Sequence, residues 1–539
     1  MTDRTIADLL AAAEPTRPAA LGGLIARLAA EDRLRDAALD GRAIDPGALA
    51  GIEVRGVTND SRAISPGGLF VAVPGLHTDG HDHLGSAAAR GAAAALVERP
   101  VAGSSLPQLV VAQTQTALAT AAAWWYGDPS RDLLTIGITG TDGKTTTSYL
   151  AVAALEAAGV RTGMLGTAGL RIGGVSEGNP EHATTPDAPI LQRALRAMAL
   201  AGDTAAVVET TSHGLALERV GSVAYDAAIV TNVTHEHLEF HGTWEAYRDA
   251  KVSLFERLAV TDGNPTKRWP KTAVVNADDP SADRFVAAAR TAGARVVTYG
   301  LSAAADVRAT AIAEDDTGGL GFEIDGPDGH APLRLRLLGR FNVHNALAVV
   351  ALGAGLDLDP AAIRAGLESV TAIPGRMERV ELGQPFEVIV DYAHSPASLE
   401  TVLDQLGPAA AARGGGVIAV FGSAGERDTA KRPLMGRIAA ERCRLVVVTD
   451  EDPRGEDRDA IVAEIAAGAR SAGTLRDDAI LAIPDRREAI AAAYDRAAPG
   501  DTVLLAGKGH ERSIIGADGP LPWDERAEAE VALRALGFG

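Results

Sequence analysis

Short apolar runs recur along this chain, and most of them end abruptly in polar or glycine-rich residues. The first series is Leu133–Ile138, Ala205–Glu209, Ala227–Thr231, Thr272–Asn276 and Arg295–Tyr299. A second series follows: Glu387–Asp391, Val417–Phe421, Leu445–Thr449 and Thr502–Ala506. Runs that are apolar throughout, rather than alternating, predict strands buried on both faces. The gaps between them leave room for helices, of which Tyr149–Ala158 is one, so each series predicts a mostly parallel sheet covered by helices. Ligand-binding groups then belong at the carboxyl ends of the strands.

The chain before residue 130 reads differently. Residues 1–50 are alanine-rich and read as a helical extension. From Pro66 to Pro74, β-prone residues are broken by proline and glycine, and helix-prone Ala87–Ala95 leads into a strand at Ala94–Glu98. That pattern predicts a small α/β unit. Trp124-Trp125-Tyr126-Gly127 reads as the loop that leaves it, and Ile373-Pro374-Gly375 as a second boundary. At 539 residues the length suits roughly three domains at about 150 residues each.

Composition narrows the function. A formal charge of −20, from 51 Lys+Arg against 71 Asp+Glu, argues against nucleic acid as partner. The single cysteine, Cys443, excludes an intramolecular disulfide framework and a cysteine zinc cluster. The first residues are acidic where a signal peptide is basic and then apolar, and no apolar run is long enough to span a bilayer. The chain reads as cytoplasmic and monomeric.

One stretch carries explicit chemistry. Gly137-Ile-Thr-Gly140-Thr141-Asp142-Gly143-Lys144-Thr145-Thr146 lies between a predicted strand and a predicted helix. That is the setting of a phosphate-binding loop, in which backbone amides cradle a polyphosphate, Lys144 reaches its outer phosphates and Thr145 offers a hydroxyl to Mg²⁺. Ile138 stands where the first glycine of the usual spacing falls. Glu209 and His237 follow strands of the same series, where a carboxylate suits Mg²⁺; each also reads as a residue capping the next helix. Asn276-Ala-Asp-Asp279 reads as a solvated turn.

Together the motifs resemble the Mur ligases of peptidoglycan synthesis, from about residue 55 to the end. Asp60-Ser61-Arg62 with Pro66-Gly-Gly-Leu-Phe-Val-Ala and the Gly-Lys-Thr-Thr loop are common features. Glu209-Thr-Thr-Ser-His-Gly-Leu215, Asp391-Tyr-Ala-His-Ser-Pro396, Lys431-Arg-Pro-Leu-Met-Gly436 and Gly507-Lys-Gly-His-Glu511 are more specific to the tripeptide-forming branch. The resemblance implies three domains: a small α/β substrate domain (1–130), a central P-loop ATPase (131–373) and a Rossmann-like amino-acid domain (374–539). It implies a ligase that uses ATP and Mg²⁺ to add a diamino acid to UDP-N-acetylmuramoyl-L-alanyl-D-glutamate through an acyl phosphate.

It also implies residue roles. Ser61, Leu76, His77 and Thr78 match uridine-nucleotide contacts. Asp142, Thr184, Thr185, Thr211 and Arg219 match contacts to the muramoyl-dipeptide. Gly140 to Thr146, Asn345, Arg376, Asp391 and His394 match the ATP pocket. Arg427, Glu451, Asp452, Pro453, Arg454, Gly507 and Glu511 match the pocket of the incoming amino acid. Lys251, a solvated helix lysine on its own, matches a carbamylated lysine that acts with Lys144, Thr145, Glu209 and His237 around Mg²⁺. Arg454 favours diaminopimelate through its extra carboxylate, whereas Asp452, where an asparagine is usual, pulls toward lysine or ornithine. The neighbouring ligase of the same pathway and a folylpolyglutamate synthetase remain alternatives on the same scaffold.

Overall fold

The structure, a computed structural model, describes residues 4–75, 78–179, 183–234, 236–259, 267, 269–315 and 318–539. Two compact units divide it: Met1–Arg308 with Asp325–His330 and His344–Leu367, and Ala309–Ile324 with Ala331–Val343 and Glu368–Gly539.

Among the described residues, the first unit holds a two-stranded ribbon, Ala19–Ala20 with Glu53–Val54, and two larger sheets. In the smaller, the strands run in the order Arg42–Ile44, Leu34–Leu39, Gln108–Val111, Ala94–Val97, Leu69–Val71, Val57–Thr58. The last four are mutually parallel and the first two antiparallel. Residues 1–50 are therefore not a helical extension. Two helices, Ile6–Ala12 and Leu21–Ala30, precede a strand pair in which Ala37 sits opposite Leu109. Leu-Arg-Asp-Ala-Ala-Leu has little intrinsic strand preference, and its pairing with a buried partner decides the matter. Trp124 to Tyr126 likewise do not form a loop. They end the helix Thr114–Tyr126, which stops at Gly127 with φ +72°, a left-handed cap that glycine adopts without strain.

The larger sheet carries the P-loop. Its parallel strands run Thr162–Leu165, Ala205–Glu209, Leu134–Thr139, Ala227–Val230, Thr272–Asn276, Arg295–Gly300. The P-loop strand Leu134–Thr139 is central, buried at every position, and the strands ending in Glu209 and Val230 flank it directly. The antiparallel strands Leu170–Ile172 and Val175–Glu177 add one edge. Being short and half-polar, they carry no apolar run of their own.

The second unit is built on a sheet ordered Glu378–Arg379, Glu387–Asp391, Thr502–Ala506, Val417–Phe421, Leu445–Val448, Ile480–Ala482. All but the first strand are parallel. The last strand in sequence, Thr502–Ala506, inserts between the first two long ones, so three loops converge at neighbouring carboxyl ends: 422–430, 449–457 and 507–511. Apolar clusters on both faces, with Phe421, Met435 and Ile465 on one and Val420, Tyr494 and Leu533 on the other, seal the sheet. Among the described residues, no helix is long and apolar enough to cross a membrane.

Candidate active site

The P-loop joins the strand Leu134–Thr139 to the helix Lys144–Ala157. Gly143, at φ +83°, caps that helix, and a Cβ there would stand 2.5 Å from Asn345 Oδ1. Asn345 thus lies against the loop, and it also accepts a hydrogen bond from Thr147 Oγ1 at 3.2 Å. The loop is pinned from the next strand's end: Thr231 Oγ1 donates to Asp142 O at 2.6 Å, and Asn232 Oδ1 accepts from Asp142 N at 3.0 Å. Lys144 Nζ donates to the carbonyls of Gly140 (2.9 Å) and Thr141 (2.7 Å).

Glu209 ends its strand fully buried. Its Oε2 accepts from Thr145 Oγ1 (3.0 Å) and Thr167 Oγ1 (2.9 Å), and its Oε1 from Thr167 N (3.1 Å). A buried carboxylate touching the P-loop threonine hydroxyl is a set of hard oxygen donors, as Mg²⁺ prefers. Among the described residues no three His, Cys, Asp or Glu side chains gather as a closed metal cage. Gly166 leaves the room: a Cβ there would lie 2.1 Å from Glu209 Oε1 and 2.6 Å from Cδ. Gly166→Ala is expected to push the carboxylate off Thr145 and lower kcat by about tenfold or more. Circular dichroism should show the fold kept, and titration with Mg²⁺ should show a raised requirement.

Lys251 is not a surface lysine. It lies on the helix Trp244–Glu256, 2% exposed, with Nζ donating to Gly140 O at 2.8 Å and 4.4 Å from the Tyr247 ring centroid. Tyr247, one turn earlier, hydrogen-bonds Thr141 Oγ1 at 2.9 Å. Burial, and then the neighbouring Lys144 charge, hold the Lys251 ammonium well below the usual lysine range. His237 has φ +55° and packs edge-on against His213, with centroids 4.6 Å apart, and Tyr247, at 6.3 Å. Burial and the His237 charge lower His213 to about 4, so this ring is neutral at physiological pH.

A cluster of hydroxyls continues from Glu209. Thr167 Oγ1 meets Thr184 Oγ1 at 2.9 Å, Thr185 Oγ1 donates to Glu209 O at 2.8 Å, and Thr211 Oγ1 donates to Thr185 Oγ1 at 3.1 Å. Arg219 donates to Thr185 O at 2.8 Å and pairs with Asp187 at 3.0 Å. Asn59 reaches the same Asp187 at 3.1 Å. Asn59, Asp187, Arg219, Gly75 and Phe240 line a cavity of about 280 Å³. Ser61 and Thr78 lie on the turns beside it in sequence, whereas Leu76 and His77 fall outside the described residues. Of the turn Asn276-Ala-Asp-Asp279, Asp278 is exposed as expected, whereas Asn276 and Asp279 are buried. Asn276 donates to Thr231 O at 2.7 Å and Asp279 accepts from Val233 N at 2.7 Å, which fixes the segment leading to His237.

In the second unit, Asp391 accepts from Met377 N and Ala393 N, both at 2.8 Å, and Arg376 stacks over Tyr392 at 4.8 Å. His394 packs on the same ring at 4.6 Å. At the three converging strand ends, Lys508 is wholly buried. Its Nζ donates to Asp452 Oδ1 at 2.8 Å and to Glu511 Oε2. Asp452 Oδ1 also accepts from Ile515 N at 2.9 Å. Among the described residues, Glu451 Oε2 and Arg454 Nε are buried without a hydrogen-bond partner, and a Cβ added to Gly507 would stand 3.5 Å from Glu451 Oε2. Arg427 is exposed on the adjoining loop. The structure thus gathers Arg427, Glu451 to Arg454, Gly507 and Glu511 in one loop cluster. Sequence reasoning missed Thr167, Tyr247 and Lys508. Lys508 sat in view between two motif glycines, but only the fold brings it to Asp452.

Comparison with known proteins agrees with this geometry. The Mur ligase family catalytic domain matches residues 53–123, the Mur ligase middle domain 138–353 and the Mur ligase glutamate ligase domain 375–509. The UDP-N-acetylmuramyl-tripeptide synthetase of Roseiflexus sp. (strain RS-1) is 50% identical over 492 residues, covering 90% of this chain and 96% of its own. The UDP-N-acetylmuramoyl-L-alanyl-D-glutamate–2,6-diaminopimelate ligase of Geobacter metallireducens is 41% identical, covering 94% and 99%. A solved structure of a ligase with that name superposes with a TM-score of 0.61 at 30% identity, over 91% of this chain and 97% of the other. The chain belongs to the Mur ligase family, and within it groups with the tripeptide synthetases.

Proposed function

We propose that this ligase uses ATP to join meso-2,6-diaminopimelate to the D-glutamate of UDP-N-acetylmuramoyl-L-alanyl-D-glutamate, the reaction named in several of its relatives. The nucleotide would lie in the 140–146 loop, with backbone amides and Lys144 on its phosphates. Thr145, Glu209, His237 and a carbamylated Lys251 would hold Mg²⁺, which screens the repulsion between carboxylate and γ-phosphate when bound. Thr184, Thr185, Thr211 and Arg219 would orient the dipeptide so that its terminal carboxylate attacks the γ-phosphorus. An acyl phosphate and ADP result; the amine of the incoming amino acid then attacks the acyl carbon, phosphate leaves, and an amide forms. A nucleotide-linked substrate and ATP make the cytoplasm the natural compartment.

The observation that supports diaminopimelate over lysine is the engagement of Asp452. Its Oδ1 already accepts from Lys508 and the Ile515 amide, so this carboxylate has a cation of the chain's own on it before any ligand ammonium arrives. The Arg454 guanidinium remains to meet a carboxylate, which it can grip with two parallel hydrogen bonds. A bare lysine ammonium there would be repelled. The 50%-identical relative's name leaves the amino acid open.

The test is phosphate release by purified protein with ATP, Mg²⁺ and the UDP-muramoyl-dipeptide, across a panel of diamino acids. Diaminopimelate should be preferred, and Arg454→Ala should cost about 2–5 kcal/mol in its recognition with lysine use unchanged or improved. A wild-type preference for lysine or ornithine of about tenfold overturns the assignment.

A further inference from the structure

Arg427 and Arg454 sit on different loops, after Phe421 and after Val448, so a pocket that uses both needs the two loops held at one spacing. Both loops are strained: Glu426 has φ +55° and Arg454 φ +56°, the left-handed region that costs a non-glycine residue about 1 kcal/mol or more. They also meet closely. Gly425 N donates to Asp452 O at 2.8 Å, and a Cβ on Gly425 would stand 2.1 Å from Pro453 O. Such a backbone persists only where its surroundings hold it.

What holds it is a buried guanidinium. Arg432, at the start of the helix Lys431–Arg442, is 2% exposed. Its Nη2 donates to Glu456 Oε2 at 2.8 Å and to Ala424 O at 3.4 Å, while Nη1 donates to Glu464 Oε2 at 2.9 Å. The other oxygen of Glu456, on the Arg454 loop, accepts from Glu426 N on the Arg427 loop. The Glu426 amide and then Arg432 hold the Glu456 carboxyl below its ordinary range, so the pair is charged at neutral pH.

We propose that Arg432 and Glu456 form a clamp that sets the separation of the Arg427 and Arg454 loops, and so positions the guanidinium that receives the distal carboxylate of the incoming amino acid. The clamp rests on the diaminopimelate reading above. Neither residue touches substrate. A lysine at 432 offers one nitrogen where three acceptors on two loops and a helix require a planar fork.

Arg432→Lys and Glu456→Gln in the full chain test it, alone and combined. Glu456→Gln, on a partly exposed side chain, keeps an oxygen for Glu426 N and should fold. Arg432→Lys is expected to raise KM for diaminopimelate about tenfold with kcat within about twofold. KM for ATP and for the UDP-dipeptide should stay unchanged, and the preference for diaminopimelate over lysine should narrow. Glu456→Gln should move the same quantities less, and the double variant should lose less than the sum of the two. Unmoved KM in both variants, or a parallel loss for all three substrates with a lowered Tm, overturns the clamp alone. Wild-type protein that prefers lysine overturns the diaminopimelate reading, and the carboxylate-positioning role with it.

Discussion

Lys144→Ala and Glu209→Ala are each expected to lower turnover by a factor on the order of 10² or more, the cost of removing one preorganised charge-stabilising group. Lys144 projects from the first turn of the P-loop helix, with Nζ on the carbonyls of Gly140 and Thr141, at the place where outer phosphates belong. Glu209 is fully buried and accepts from the hydroxyls of Thr145 and Thr167. Its removal also strands those donors, at about 1–3 kcal/mol for each buried group left unsatisfied. Glu209→Gln separates the two effects, because it keeps volume and one acceptor while removing charge. Steady-state phosphate release alongside thermal unfolding checks this. A Gln variant with wild-type stability and little turnover would assign the loss to charge. Either alanine variant working within a few-fold of wild type, folded, would remove the residue from the phosphoryl-transfer site.

Lys251→Ala should be nearly inactive, with partial recovery in acetate or formate. Burial and then the neighbouring Lys144 charge hold the Lys251 ammonium well below the usual lysine range, which favours the free amine. In the proposed carbamylation that amine would attack CO₂: a nitrogen–carbon bond forms, a proton is released, and an anionic carbamate replaces the cation. Repulsion between Lys251 and Lys144 then becomes attraction, and two oxygens become available to a divalent ion. Protonation competes with this addition, so activity should fall as pH is lowered and recover with bicarbonate. Lys251→Arg keeps a cation but cannot carry the group, and should be as inactive as Lys251→Ala. NMR with carbon-labelled bicarbonate reads the carbamate directly. Active protein whose lysine is unmodified would sink the idea.

The strongest elements needed only local chemistry to be legible. Leu134–Thr139, Ala205–Glu209 and Thr502–Ala506 are apolar throughout because helices cover both faces of their sheets, and that pattern survives in one dimension. A glycine loop followed by Lys-Thr is likewise a property of neighbours in sequence, and so was the family resemblance carried by the four longer motifs. Tertiary contacts decided the rest. Leu34–Leu39 became a strand because Gln108–Val111 offers it hydrogen bonds, not because its own residues prefer extension. Lys251 changed from a solvated residue to a buried one against Tyr247, one turn away, and the Gly140 carbonyl, 111 residues away. Asp452 read in sequence as an acceptor for the ammonium of lysine or ornithine, and the fold puts Lys508, 56 positions away, on its carboxylate. The carboxylate's preference depends on which charge lies within a few ångströms, since electrostatic energy falls with distance in space, and separation along the chain carries no record of that distance.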